Sequence, residues 1–487
     1  MRTTGLKYTI KTTQLFIGNR FVDSLSSITP RLLLNPATGK PLAEVTEGSS
    51  EDVDRAVSSA QEALQGEWGE WNGRQRRDAL NLLARTLSEN VEELAYLESV
   101  NAGKPLAEAH WEINESIECF KHFSGYADKI RGSSYQVDNG LHSYTVREPA
   151  GVCGLITSFN YPLLLASWKL APALATGNTV LLKPAPQTPL TALAVARLIS
   201  DRDIFPKGVV NVVTGGASVG EAISKHALVD KCSFTGSTHV GKQILAHSAA
   251  TNLKRVTLEL GGKNPLLVAE DANIAQAVEE VFVAAFSNAG QNCCAGTRLY
   301  LSEKIHEEFL AKLQQKLSHV LATTDLEHPD CQYGPLIDER QYTKVKGFID
   351  RARAKYNSLE SNAPQATGGY FIEPTVFYGV DDDAEIAQEE IFGPVLTVLK
   401  PFKEFEEALE RANRTQFGLA AGLWSKDPKK IAMFSRRIQA GINWVNCYNI
   451  SNPYMPFGGF KLSGLGKDLG KEAIDEFTRV KSVTVAE

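Results

Sequence analysis

From residue 151 onward the chain repeats one pattern, a short apolar run followed by a stretch of helical period. GVCGLITSF, NTVLLK, GVVNVV and DKCSFTG are the apolar runs, and LLLASWKLAPALATG, TPLTALAVARLIS and SVGEAISKHA lie between them. Short runs without polar alternation suit strands that are covered on both faces. Strand–helix–strand repetition then demands a parallel sheet with helices on both sides. A second series follows residue 262, with PLLVAE, TRLYLS, GPVLTVL and GINWVN as strands. Its helices are expected around 273–287, 304–318, 402–413 and 428–438. The expected fold class is α/β, with two successive open α/β domains, and 487 residues supply enough chain for both.

The first part of the chain is helical instead. SSEDVDRAVSSAQEAL opens with serines and two acids, a good helix start. Residues from about 73 to 128 keep helical spacing, with a break at Asn101–Pro105. SSYQVDNGLHSYTVREPAG then reads as a hairpin pivoting on Asn139-Gly140. The final TRVKSVTVAE reads as an alternating strand whose partner is another subunit. At the start, Arg2, Lys7 and Lys11 precede the first acid, Asp23, a faint likeness to an organelle-targeting segment. QLFIGNRFV already alternates like an edge hairpin, so a structural start and a cytoplasmic protein are expected.

Net charge is -6, from 51 basic and 57 acidic residues, and basic residues form no tail or patch. No nucleic-acid partner is expected. No run of 18 apolar residues exists, so no membrane span is expected. Seven cysteines, an odd and sparse set, fit a reducing compartment better than a disulfide scaffold.

Two of those cysteines, Cys293 and Cys294, lie in FSNAGQNCCAGTR, a glycine-rich turn between a helix and a strand. Backbone N–H groups converging there can lower a thiol pKa and hold an oxyanion. An inert structural thiol is the plain alternative. A metal site lacks a second cysteine–histidine cluster, so no metal is expected. Glu259, in VTLELGGKNP, is either a solvated acid at a strand end or a general base with room made by two glycines. Asn160, in TSFNYP, is either a helix cap or an amide donor to a reacting oxygen at the carboxyl end of a strand. No G-x-G-x-x-G occurs. TGGASVG, with Gly215, Gly216 and Gly220, and FTGST, with Gly236 and Ser237, both sit between strand and helix, where a phosphate can approach a helix N-terminus. Lys183 can hold a phosphate or a ribose hydroxyl, and Glu390 a ribose.

Seven segments together carry a resemblance: SFNYP, LAPALATGNTVLLKPAPQTP, FTGST, LELGGKNP, GQNC, EEIFGPV and PFGGFKLSGLG. In order and spacing, including the 34 residues from Glu259 to Cys293, the chain resembles the aldehyde dehydrogenase superfamily over essentially its whole length. The resemblance implies a cofactor-binding domain over 1–130 and 150–261 and a catalytic domain over 262–462. It assigns 131–149 and 463–487 to a small β oligomerisation element, and implies a homodimer or homotetramer. It makes Cys293, not Cys294, the nucleophile that attacks a small-molecule aldehyde to give a thiohemiacetal. The Asn160 amide and the Cys293 N–H hold the oxyanion, hydride passes to the nicotinamide, and Glu259 activates water against the thioester. It assigns the cofactor crevice to Ile156, Thr157, Ser158, Phe159, Lys183, Gly216, Gly220, Phe234, Gly236, Ser237, Leu260, Glu390 and Phe392.

Departures from the family pattern carry information. Pro186 stands where many NAD-specific members have a ribose-binding glutamate, so NAD is expected with NADP also possible. Tyr161, Trp168 and Phe457 match residues lining the substrate passage. Ser287 and Ser451 replace residues that are often aromatic. In WEINESIECF, Trp111 with Glu115, and Glu112 beside them, resembles the mouth of aminoaldehyde and betaine aldehyde dehydrogenases. Rings and acids suit an ammonium group, so an amino or quaternary-ammonium aldehyde is expected. The alternatives are neutral aliphatic or aromatic aldehydes, a CoA-dependent thioester-forming enzyme, and a catalytically silent nucleotide-binding relative.

Overall fold

The computed structural model describes residues 8, 10, 13–137, 140–320, 323, 325–361 and 368–486. The basic residues of the extreme N-terminus, Arg2, Lys7 and Lys11, lie outside them. The hairpin read from QLFIGNRFV is β1 (Leu15–Ile17) and β2 (Arg20–Val22), and β3 (Arg31–Leu34) pairs with β4 (Pro41–Val45) in a small separate sheet. Next come α1 (Ser50–Gln65), α2 (Glu67–Glu70), α3 (Gly73–Glu89), α4 (Val91–Ala102) and α5 (Leu106–Ala127). The serine start of α1 is a reciprocal cap, in which Ser49 accepts from Asp52 N–H and Asp52 accepts from Ser49 N–H. The break expected at Asn101–Pro105 separates α4 from α5 around Gly103, whose φ is 77°. β5 (Ser134–Gln136) and β6 (Leu141–Pro149) then pair antiparallel, with Ser134 opposite Tyr144. Asn139, at the expected pivot, lies outside the described residues.

The first α/β series is β7 (Val152–Ile156), α6 (Pro162–Ala175), β8 (Thr179–Lys183), α7 (Leu190–Asp201), β9 (Val210–Val212), α8 (Ala217–Lys225), β10 (Lys231–Thr235), α9 (Thr238–Ala250) and β11 (Arg255–Glu259). All five strands are parallel, and all but Arg255 of their residues are buried, which explains their unbroken apolar reading. The chain enters at β7, winds out through β8 and β9, then returns to β10 and β11 on the other side. The order reverses between β7 and β10, and a crevice opens at the carboxyl ends of strands at such a point.

The second series is β12 (Asn264–Val268), α10 (Ile274–Phe286), β13 (Gly296–Leu301), α11 (His306–Leu317), α12 (Glu339–Arg353), β14 (Asn357–Glu360), β15 (Thr375–Val380), α13 (Glu385–Gln388), β16 (Val395–Leu399), α14 (Phe405–Asn413), β17 (Ala420–Trp424), α15 (Pro428–Arg437) and β18 (Ile442–Val445). Their sheet runs β14-β15-β16-β13-β12-β17-β18 around a separate apolar core. β19 (Gly464–Leu465), α16 (Gly470–Glu476) and β20 (Thr478–Ala486) close the chain.

The tail corrects one boundary. The stretch from 463, expected in the oligomerisation element, first serves the large sheet: β19 pairs with β11, and Leu469, Ala473, Ile474 and Phe477 enter the first core. Only β20 leaves it, pairing with β6 over nine residues from Thr478–Pro149 to Ala486–Leu141. A two-residue strand that itself begins with glycine carries too little pattern to be read from sequence.

Candidate active site

Between the two sheets lies a cavity of about 440 Å³, with Cys293 on its wall. Three consecutive left-handed residues, Asn288, Ala289 and Gly290 (φ 52°, 54° and 68°), end α10 and turn the chain toward that thiol. A Cβ at Gly290 would stand 2.2 Å from the Gly393 carbonyl oxygen, so the turn needs glycine there. Asn264 Nδ2 then donates to the Cys293 carbonyl at 2.8 Å and to that of Ala295 at 2.9 Å. The Tyr448 hydroxyl donates to the Cys294 carbonyl at 2.8 Å, and Cys294 N–H donates to Asn292 Oδ1 at 3.0 Å. The nucleophile loop is thus fixed by groups at the start of β12 and beyond β18. Cys294 is buried, and burial together with the adjacent Cys293 thiol pushes its pKa well up. Cys293 is partly exposed.

Asn160 faces the same cavity. Its carbonyl accepts from Lys104 Nζ at 2.9 Å and from Asn288 Nδ2 at 2.8 Å, and its Oδ1 accepts from the Ser158 hydroxyl at 2.6 Å. With Oδ1 committed, Nδ2 is the group the side chain offers. Two buried carboxyls hold the helix that follows: Glu98 accepts from Leu163 N–H at 2.9 Å and Glu112 from Leu164 N–H at 3.3 Å. Lys104 closes this network through a fully buried ion pair with Glu112.

Glu259, the last residue of β11, is 3% exposed, and among the described residues neither of its carboxyl oxygens has a hydrogen-bond partner. Burial, and then the nearby Asp468 carboxylate, raise its pKa well above the usual carboxylate range, against the pull of Lys169. Lys169 and Asp468 form a buried ion pair at 2.7 Å. A buried acid without partners is poorly placed to stabilise the fold and well placed to exchange a proton.

The remaining sequence-assigned residues gather around the switch point. Ile156 ends β7, and Thr157, Ser158 and Phe159 follow it. Lys183 ends β8, Gly216 caps α8 with Gly220 in its first turn, and Phe234 lies near the end of β10. Gly236 lies between β10 and Ser237, the N-cap of α9, while Leu260 follows β11. From the second domain, Glu390 accepts from Gly262 N–H at 3.0 Å, and burial raises its pKa. Phe392, with φ 60°, sets its ring edge-on to Phe159 at 5.8 Å. A dinucleotide fits these groups, since the α8 N-cap is a glycine whose backbone a phosphate can approach and burial lowers the Lys183 pKa only to about 8, leaving a cation at neutral pH. Among the described residues no cluster of three His, Cys, Asp or Glu side chains is placed to hold a metal, and no helix is long and apolar enough to cross a membrane.

Comparison with known proteins decides the family. The aldehyde dehydrogenase family model matches residues 23–483. The chain is 44% identical over 481 residues to aldehyde dehydrogenase, cytosolic 1, of Elephantulus edwardii, covering 98% of this chain and 95% of the relative. The chain belongs to the aldehyde dehydrogenase family. The NAD+ complex of the Bacillus cereus aldehyde dehydrogenase superimposes with a TM-score of 0.94 at 40% identity, covering 98% and 97% of the two chains. Betaine aldehyde dehydrogenase of Staphylococcus aureus, also with NAD+, gives 0.93 at 35% identity, covering 97% and 94%. This aldehyde dehydrogenase oxidises an aldehyde to its acid with NAD(P), on the expected fold of two α/β domains and a small β sheet.

Its substrate passage differs in part from the sequence reading. Trp111, Tyr161, Trp168, Ser287, Ser451 and Phe457 all line the cavity. Glu115 does not, because the cavity face of α5 runs through Ala107, Glu108 and Trp111 and ends before the next turn. Glu112 is spent on Lys104 and the α6 N-terminus. Among the described residues the one carboxyl on the wall is Glu108, which sequence reasoning passed over, as it did Lys104, Asn264 and Tyr448. Glu108 lies three residues before Trp111, so helical spacing on the N-terminal side was the available signal.

Proposed function

We propose that the physiological substrate is a neutral aldehyde with an aromatic or bulky apolar body. The observation that carries this reading is the wall itself, in which the rings of Trp111, Tyr161, Trp168, Trp444, Tyr448 and Phe457 surround the approach to Cys293. Ser287 adds little polarity, since its hydroxyl donates to the Val283 carbonyl at 2.7 Å. Rings repay burial of an apolar body, and among the described residues Glu108 is the single carboxyl this wall sets against them. The test is kcat/KM for benzaldehyde, hexanal, 4-aminobutyraldehyde and betaine aldehyde. Benzaldehyde should lead the cationic pair by about tenfold or more; the reverse order would sink the proposal. Glu108 beside Trp111 supports the second reading, a cationic aldehyde. In that case Glu108→Gln lowers kcat/KM for the aminoaldehyde alone.

In the proposed chemistry the Cys293 sulfur bonds to the aldehyde carbon. Asn160 Nδ2 and the Cys293 N–H take up the charge that develops on oxygen. NAD(P), which the groups around Lys183, Glu390 and Phe392 would hold, would supply the hydride acceptor needed to bring that carbon to the acyl level. A thioester remains, and Glu259 takes a proton from water as the water oxygen attacks it. The carbon–sulfur bond breaks, the acid leaves, and the thiolate is restored.

Assembly and location follow from other features. The β20 strand stands at the end of its sheet with Val480 and Val485 exposed, which supports a homo-oligomer formed along that strand. Seven free cysteines support a reducing, cytosolic setting, which fractionation of the source cells would check.

A further inference from the structure

The carboxyl end of β8 carries a charge cluster that the aldehyde chemistry does not use. The stem of Lys183 runs along α8, where a Cβ at Gly220 would stand 3.6 Å from its Cδ. Four residues earlier, at the extended N-cap of the same helix, a Cβ at Gly216 would stand 3.6 Å from Arg31 Nη2 and 3.8 Å from Glu47 Oε2. Lys183 and Arg31 therefore both lie beside the start of α8, whose N-cap, Gly216, has no side chain of its own and gives its N–H to Glu47. Arg31 reaches this place from β3, in the small separate sheet.

One carboxylate belongs to the cluster, and its two oxygens are occupied. Glu47 Oε1 pairs with Arg31 Nε at 2.5 Å, and Glu47 Oε2 accepts from Gly216 N–H at 3.0 Å. Lys183 feels both partners: burial lowers its pKa to about 8, Glu47 acts against that fall and Arg31 adds to it. Two cationic side chains thus face one anionic one, beside a helix N-terminus that also favours negative charge. The proline at 186 contributes no further carboxylate. The Arg31 side chain is 41% exposed, so a ligand can reach it.

We infer that Arg31, Lys183 and Glu47 form a subsite for a ribose 2′-phosphate, and that this enzyme takes NADP+ at least as readily as NAD+. Arg31 and Lys183 bind the phosphate, while Glu47 holds the guanidinium in place and serves the ribose diol when the phosphate is absent. A fork-shaped guanidinium matches phosphate oxygens, and a bare carboxylate would repel them. The inference rests on the NAD(P) crevice and not on the aldehyde class, so the two fail separately.

Calorimetric titration of the full chain, without aldehyde, tests it with 2′,5′-ADP and 5′-AMP at pH 7.5. The wild type should bind 2′,5′-ADP about tenfold tighter or more. Arg31→Leu should remove most of that ratio, with the loss falling on 2′,5′-ADP, and Arg31→Lys should restore part of it. Glu47→Gln, which leaves both cations, should tighten 2′,5′-ADP. Raising the pH through about 8 should weaken 2′,5′-ADP more than 5′-AMP as Lys183 loses its proton. Equal binding of the two ligands by the wild type, or a ratio unchanged by both Arg31→Leu and Glu47→Gln, overturns the inference.

Discussion

Glu259 and Cys293 each owe their proposed role to what surrounds them. The carboxyl of Glu259 is buried beside Asp468, and both burial and that neighbouring charge raise its pKa, so its base form develops at higher pH than for a free carboxylate. The base form grows as pH rises, and kcat should climb with it, at higher pH than an ordinary carboxylate would give. Glu259→Gln should lower kcat by about 10²–10⁴-fold and flatten that limb, as a pH–rate profile would show. A limb that persists in the variant would assign the titration elsewhere. The chemical residues were legible in the sequence because each sits in a short motif at a strand end: Asn160 after β7, Glu259 at the end of β11, Cys293 in the glycine-rich turn. Lys104 was not legible, because its partner Glu112 lies across a helix break and its other partner, the Asn160 carbonyl, is 56 residues away. No local spacing reports such a contact.

At the scale of elements, α4, α5 and α6 meet at the N-terminus of α6, where Asn160 leads into the helix. Glu98 and Glu112 serve its free N–H groups, and Lys104 neutralises the pair while bonding Asn160. Lys104→Met leaves buried carboxyls uncompensated and should cost about 3–5 kcal/mol of stability. It should also lower kcat more than it raises KM, because the donor amide loses its anchor. Denaturant titration and steady-state kinetics measure the two effects, and a stable variant with normal kcat would contradict this positioning role. Buried parallel strands such as β7 and β8 read directly from their apolar runs, while β17, AAGLW, was missed because small residues and a glycine mask a central strand. The acids of α5 were misread for a related reason: spacing identifies a shared helix face but not where along that face a cavity ends.

For the whole molecule, two sheets with separate cores leave the crevice and the cavity between them, and the tail ties the parts together. β19 joins the first sheet, and β20 crosses to β6. If assembly runs along β20, light scattering after gel filtration should give a dimer or tetramer for the full chain and a monomer after removal of residues 479–487. A full chain that runs as a monomer would end that proposal. The two-domain plan was legible because strand–helix alternation restarts after residue 262. The detour of the tail through the first core was not, since helix α16 is seven residues long.

The most direct test of the account is where the acyl group goes. Glu259→Gln enzyme mixed with benzaldehyde and NAD(P)+ should accumulate a thioester, and peptide mass spectrometry should place it on Cys293. Omitting the cofactor should abolish it, and Cys294→Ser should not. An acyl group found on Cys294, or turnover that survives Cys293→Ser, would contradict the assignment.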